Sequence, residues 1–119
     1  MKWLLLTMGL ALAGPASASG IRVIDGDTLE IDGGRIRILN IDAPEIRSYK
    51  CPEELSLGLG AKFQLSFLVS RGKVTYEGYR LDKYHRLLAH VYVDGKDVGQ
   101  MLIDDGYAVK WEGRRHDWC

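Results

Sequence analysis

Asp25 and Asp27 flank Gly26 in the run "VIDGDTLEI", and Asp42 follows Asp27 by 15 residues in "NIDAPE". Both stretches are apolar and strand-like, yet each is interrupted by acid, which strands disfavour. If the strands carrying Asp27 and Asp42 lie side by side, two carboxylates meet at one edge and repel unless a cation sits with them. Oxygen-only ligands suit calcium or magnesium rather than zinc. The three histidines (His85, His90, His116) do not show zinc-ligand spacing.

Glu45, three residues past Asp42, is a third acid placed to act on water. Arg37 brings a forked cation to the same edge, and Arg86 lies between two predicted strands. Acids, a metal and two arginines are what attack on a phosphodiester requires. The metal polarises a phosphoryl oxygen or activates water. Guanidinium forks match phosphate oxygens and stabilise the charge of the transition state. A carboxylate orients or deprotonates the water. Singly, each residue has an ordinary structural reading: Asp-Gly is a common turn dipeptide, and an arginine on a strand face is usually solvated. Their number and order carry the chemical reading.

These side chains need elements to hold them. Residues 21 to 31 read as strand bent at Asp25-Gly26-Asp27, and "DGG" (Asp32 to Gly34) is a hairpin turn. "RIRIL" alternates, with Ile36 and Ile38 on one face and Arg35 and Arg37 on the other; Pro44 ends the strand after it. A helix is predicted from Glu53 to Ser70, with Leu57, Ala61, Leu65 and Leu68 as its apolar face and Gly72 as its stop. "KVTYEGY" and "LLAHVYV" read as two more strands around the polar "RLDKYHR". Asp97 caps a short second helix, with Gln100 in the capping-box position, Gly106 as terminator, and Val98, Met101 and Leu102 as its buried face. The order is three strands, helix, two strands, short helix. It fits a mainly β chain with two helices, an α+β arrangement built on a five-stranded OB-type Greek-key barrel. A flat α+β sandwich has the same periodicity.

The 119 residues suffice for one core. The first 18 read as a secretory signal peptide: Lys2, an apolar run from Trp3 to Ala13, the breakers Gly14 and Pro15, then Ala16-Ser17-Ala18 as an A-x-A cleavage pattern. The expected mature domain is 19–119, secreted or periplasmic, monomeric and without stable membrane association. In an oxidising compartment Cys51 and Cys119, the only cysteines, are expected to pair. Sixteen basic residues balance sixteen acidic ones, so affinity for nucleic acid must come from a local cluster.

"VIDGDT", "RIRILNIDAPE" and "DKYHRLLAHVYVDG" with "VGQMLIDDGYA" resemble the staphylococcal nuclease (thermonuclease) family, from about Val23 to Ala108. The resemblance favours the OB barrel. It implies a calcium-dependent nuclease that cleaves DNA and RNA at the 5′-oxygen and leaves 3′-phosphate ends. It implies calcium at Asp27, Asp42 and the Ala43 carbonyl, with Asp25 acting through water. Glu45 is then the general base, and Arg37 and Arg86 bind phosphate. The family usually has Thr where Ala43 stands and Gly where His85 stands, and its best-known members continue into a third helix where this chain has "WEGRRHDWC". Lys83, Tyr84 and Trp111 are candidate substrate contacts, the two aromatics by stacking on single-stranded bases. Two other readings use the same residues: a non-catalytic module binding nucleic acid or protein, and a structural calcium site in an exported domain. The second gives no reason for the positions of Arg37 and Arg86.

Overall fold

The computed structural model describes residues 20–119, together with the backbone of residues 13–16. The rest of the expected signal peptide lies outside the described residues. Among the described residues no helix is long and apolar enough to cross a membrane.

The chain forms β1 (Ala13–Ala16), β2 (Ile21–Asp25), β3 (Thr28–Ile31), β4 (Gly34–Ile38), β5 (Ile41–Asp42), α1 (Pro52–Val69), β6 (Val74–Leu81), β7 (Leu87–Val93), β8 (Lys96–Asp97), α2 (Val98–Asp104) and β9 (Val109–Lys110). Strands β2, β3 and β4 make an antiparallel meander. Its second turn carries Asp32 at φ 51° and Gly33 at φ 85°, the left-handed pair that an Asp-Gly hairpin requires. β4 then pairs in parallel with β7 (Ile36 opposite Leu87, Ile38 opposite Ala89), and β7 pairs antiparallel with β6. Leu29, Ile36, Ile38, Leu65, Val74, Val91 and Leu102 fill the core between this sheet and the two helices.

The mainly β, two-helix reading holds, but the closed barrel does not. The strands run β1-β6-β7-β4-β3-β2 as an open sheet, with β8 also on β7 and β5 paired separately with β9. Closure needs a ladder between β2 and β6, and none joins them among the described residues. The outer edge of β6 pairs with β1, from Ala16 opposite Val74 to Ala13 opposite Glu77, a segment that belongs to the expected signal peptide. At the other edge β2 is five residues long and bulged between Val23 and Asp25, and it lies against α1.

Helix α1 begins one residue before its predicted start and departs from its predicted face in the first turns. Leu57 is exposed, while Glu54, Gly58, Ala61, Leu65, Leu68 and Val69 are buried. Leu65 and Leu68 meet the apolar core, but the N-terminal turns face the backbone after β5. A Cβ at Gly58 would sit 2.8 Å from the Glu45 carbonyl oxygen, so glycine lets the helix approach that loop. The helix ends at Ser70, whose hydroxyl donates to the Phe67 carbonyl at 2.8 Å. Gly72 is not its terminator; it makes room for the Asp94 carboxylate, which accepts from the Lys73 N–H. The second helix follows its prediction at the start: the Asp97 carboxylate accepts from the Gln100 N–H at 2.9 Å. Val98 and Leu102 are buried there with Gly99, and Met101 is half-buried.

Candidate active site

Gly26 explains the first interrupted strand. A Cβ there would lie 2.6 Å from the Ala61 Cβ and 2.8 Å from the Ala43 Cβ, so only glycine lets the β2–β3 turn nest between α1 and the end of β5. The nesting brings Asp27 to the "DAPE" segment: its Oδ2 accepts from the Ala43 N–H at 3.3 Å and its Oδ1 from the Thr28 hydroxyl at 3.0 Å. The Asp27 N–H in turn donates to Asp25 Oδ1 at 3.1 Å. Burial, and then the Asp27 charge beside it, push the Asp25 carboxyl up to about 7. Two carboxylates this close repel, and their oxygens suit a hard cation, although Arg37 already stands 3.6 Å from Asp27 Oδ2.

Arg37 does not lie on a solvated face. It is 8% exposed, because β4 is covered on both sides where it passes the site. Its Nη1 donates to the carbonyls of Ile38 and, at 2.9 Å, Ile41, and its Nη2 lies 3.6 Å from Asp27 Oδ2. Its guanidinium carbon stands 5.5 Å from the centre of the Trp111 ring. Four neighbours thus hold the fork in place.

Asp42 is 1% exposed, and its partners come from the C-terminal strap, residues 111–119. Arg115 Nη1 pairs with Asp42 Oδ1, and the His116 N–H donates to Oδ2 at 2.7 Å. Arg115 Nη2 donates to the Ala43 carbonyl at 3.2 Å and pairs with Glu45 Oε2 at 2.8 Å. Burial raises the pKa of Glu45, against the opposing charge of Arg115. The strap is tied back by the Cys51–Cys119 disulfide, which joins it to the residue before α1. Behind Glu45 stands Glu54, which sequence reasoning missed. Its two oxygens accept from the Glu45 and Lys50 N–H groups, both at 2.9 Å. Burial alone would raise its pKa, but those bonds, with Arg115 and Lys50, hold it below the usual carboxylate range.

The β6–β7 loop supplies the opposite wall. Asp82 organises it, accepting from the Tyr84 and Arg86 N–H groups and from Arg86 Nε at 2.8 Å. His85, where the resembled family has Gly, takes φ 64°, the left-handed conformation that glycine adopts freely. Tyr84 is exposed, with Lys83 and Arg86 each 5.2 Å from its ring centre.

These walls enclose a groove of about 1340 Å³. Asp25, Asp27, Arg37, Glu45, Lys83, Tyr84, Arg86 and Trp111 all line it; Asp42 and Ala43 sit beneath its surface. Arg22, Arg35, Arg47, Lys62, Arg80 and Arg115 also line it, so its basic residues outnumber Asp25, Asp27, Glu45 and Asp82. A chain without net charge therefore carries a locally basic groove, as recognition of phosphate demands. Among the described residues no three Asp, Glu, His or Cys side chains are gathered as a ready metal cage. Arg115 pairs with the Asp42 carboxylate and the Ala43 carbonyl, two groups that the family resemblance assigns to an ion.

The staphylococcal nuclease homologue family model matches residues 35–117. The chain belongs to this family. The match spans Arg37, Asp42, Glu45, Arg86 and the Arg115 strap, and begins after Asp25 and Asp27. The endonuclease YncB of Bacillus subtilis is 41% identical over 95 residues, covering 73% of this chain and 44% of that protein. The prophage-derived endonuclease YokF of the same organism is 40% identical over 95 residues (73% and 31%). An uncharacterized endonuclease of Escherichia coli is 35% identical over 97 residues (77% and 59%). This staphylococcal nuclease homologue thus spans between about a third and three-fifths of the relatives it matches. Glu54 and Arg115 had faint signals in sequence: an acid in the first turn of a helix, and a basic pair shortly before a cysteine.

Proposed function

We propose that this chain is a calcium-dependent nuclease that hydrolyses phosphodiester bonds of single-stranded DNA or RNA at the 5′-oxygen, leaving 3′-phosphate ends. The observation that carries the reading is the groove in which Arg37, Glu45 and the Asp25–Asp27 pair face one basic channel. The family, and relatives named endonucleases, support it. We also infer an exported, monomeric protein from the N-terminal pattern and the bridged cysteines.

The ion would be held by Asp27, Asp42 and the Ala43 carbonyl, with Asp25 reached through water, and when bound it withdraws charge from the phosphoryl group. The chain's own residues do the rest. Glu45, with its raised pKa, takes the proton of the attacking water. Arg37, locked by the Ile38 and Ile41 carbonyls, turns its remaining donors to the phosphate oxygens. Arg86 sits on the rim in the β6–β7 loop and exchanges Asp82 for a phosphate oxygen as negative charge builds. Tyr84 and Trp111 stack on the flanking bases, and Lys83 meets the backbone.

The test is cleavage of single-stranded DNA by the oxidised chain in calcium and then in EDTA, with Glu45→Ala beside it. Cleavage that needs calcium and falls at least a hundredfold in the variant, the scale of general base catalysis, is the expected result. A non-catalytic binding module has one observation in its favour, the pairing of both Asp42 and Glu45 with Arg115. Binding without cleavage across several metals would establish that reading instead.

A further inference from the structure

Arg115 contacts three of the groups assigned above to the ion and the base. Its Nη1 pairs with Asp42, and its Nη2 reaches the Ala43 carbonyl at 3.2 Å and Glu45 at 2.8 Å. Asp42 and the Ala43 carbonyl are two of the three groups assigned above to the cation, and Glu45 is the assigned base. One guanidinium therefore covers the place of the ion and the group that works beside it. A divalent ion on the same oxygens would stand within a few Å of the Arg115 charge, at a carboxylate with 1% exposure and little water to screen the repulsion.

Three further features make Arg115 an exchangeable occupant rather than a fixed one. Its side chain is 39% exposed, which leaves it a path into solvent. Glu54 Oε2, 3.9 Å from Nη2, is a second acid within reach of the guanidinium. The strap that carries it is covalently returned four residues later by the Cys51–Cys119 bridge, so a displaced Arg115 stays at high local concentration beside the site.

We propose that Arg115 is an internal competitor of the divalent ion: it pairs with the Asp42 carboxylate and donates to the Ala43 carbonyl, and must leave both for the ion to bind. The inference rests on the cation-dependent reading above. It assigns the C-terminal strap a task beyond closing the fold, that of setting the cation affinity of the site.

Calorimetric titration of the full-length, oxidised chain with calcium chloride alone, without substrate, tests it. Arg115→Ala should bind calcium on the order of tenfold more tightly than the parent, the scale of a partly solvated, charge-assisted pair. Arg115→Gln, which keeps a donor but no charge, should move in the same direction and serves if the alanine variant does not fold. Asp27→Asn should lose binding. A positioning role for Arg115 predicts the opposite sign, weaker binding as Asp42 and Glu45 lose their support. Equal or weaker binding by the Arg115 variants therefore overturns the competitor and leaves the calcium reading intact. Absence of binding in parent and variants alike overturns both.

Discussion

Replacing Glu54 by glutamine isolates the contribution of this buried acid from that of the residues proposed to act on substrate. Glu54 is 4% exposed, and its two oxygens accept the Glu45 and Lys50 N–H groups at 2.9 Å each. Glutamine supplies one acceptor oxygen and one amide that meets an N–H with another N–H. Lys50 is exposed, so water replaces an acceptor there; the half-buried Glu45 N–H carries most of the cost. An unsatisfied buried donor costs about 1–3 kcal/mol, and loss of charge assistance on the surviving bond adds about 1 kcal/mol. We expect a loss of about 2–4 kcal/mol, read as a lowered urea midpoint at unchanged slope, or as a fall in Tm of roughly 10–25 °C for a domain of this size. The pH dependence fixes the sign. Glu54 has a folded pKa below its ordinary 4.5. Its stabilisation is complete above the unfolded value and is lost as pH falls through the folded one. The gap between parent and variant should therefore narrow in acid. A loss under about 1 kcal/mol at neutral pH, or a gap that stays constant below pH 4.5, would refute the claim that ionised Glu54 holds the "DAPE" segment.

Three other outcomes follow from single contacts. Gly26→Ala drives a Cβ within 2.8 Å of both Ala43 and Ala61; it should cost about 1–3 kcal/mol in denaturation and reduce cleavage by moving Asp27. Cys119→Ser opens a bridge spanning 68 residues and should cost up to about 4 kcal/mol, and strong reductant should lower the parent to the same midpoint. Tyr84→Ala removes an exposed ring and should raise KM for single strands about tenfold or more while leaving stability unchanged; a fall in kcat alone would show that the ring does not bind bases.

Much of the scaffold was legible because it follows local rules. The Asp32-Gly33 turn, the Asp97 cap and the strands on either side of "DKYHR" are decided by backbone preferences of neighbouring residues, and sequence carries those directly. The acids and arginines were legible as a set because their order and spacing match a family. Long-range choices were not. Whether the sheet closes depends on whether β2 and β6, far apart in the chain, meet edge to edge, and whether Arg37 meets solvent depends on what lies over β4. Helical periodicity placed Leu65 and Leu68 correctly but not Leu57, because the first turns of α1 face polar backbone instead of core.

The acids and arginines on which the proposed attack on phosphate rests are thus a property of the sequence. Their electrostatic state is a property of the tertiary structure. Nothing local to "GRRHDWC" says that Arg115 meets Asp42, 73 residues away, or that Glu54 supports Glu45 from a helix. A charge pair is set by distance in space: the disulfide returns the strap to Asp42, and the close approach of α1 at Gly58 brings Glu54 to Glu45.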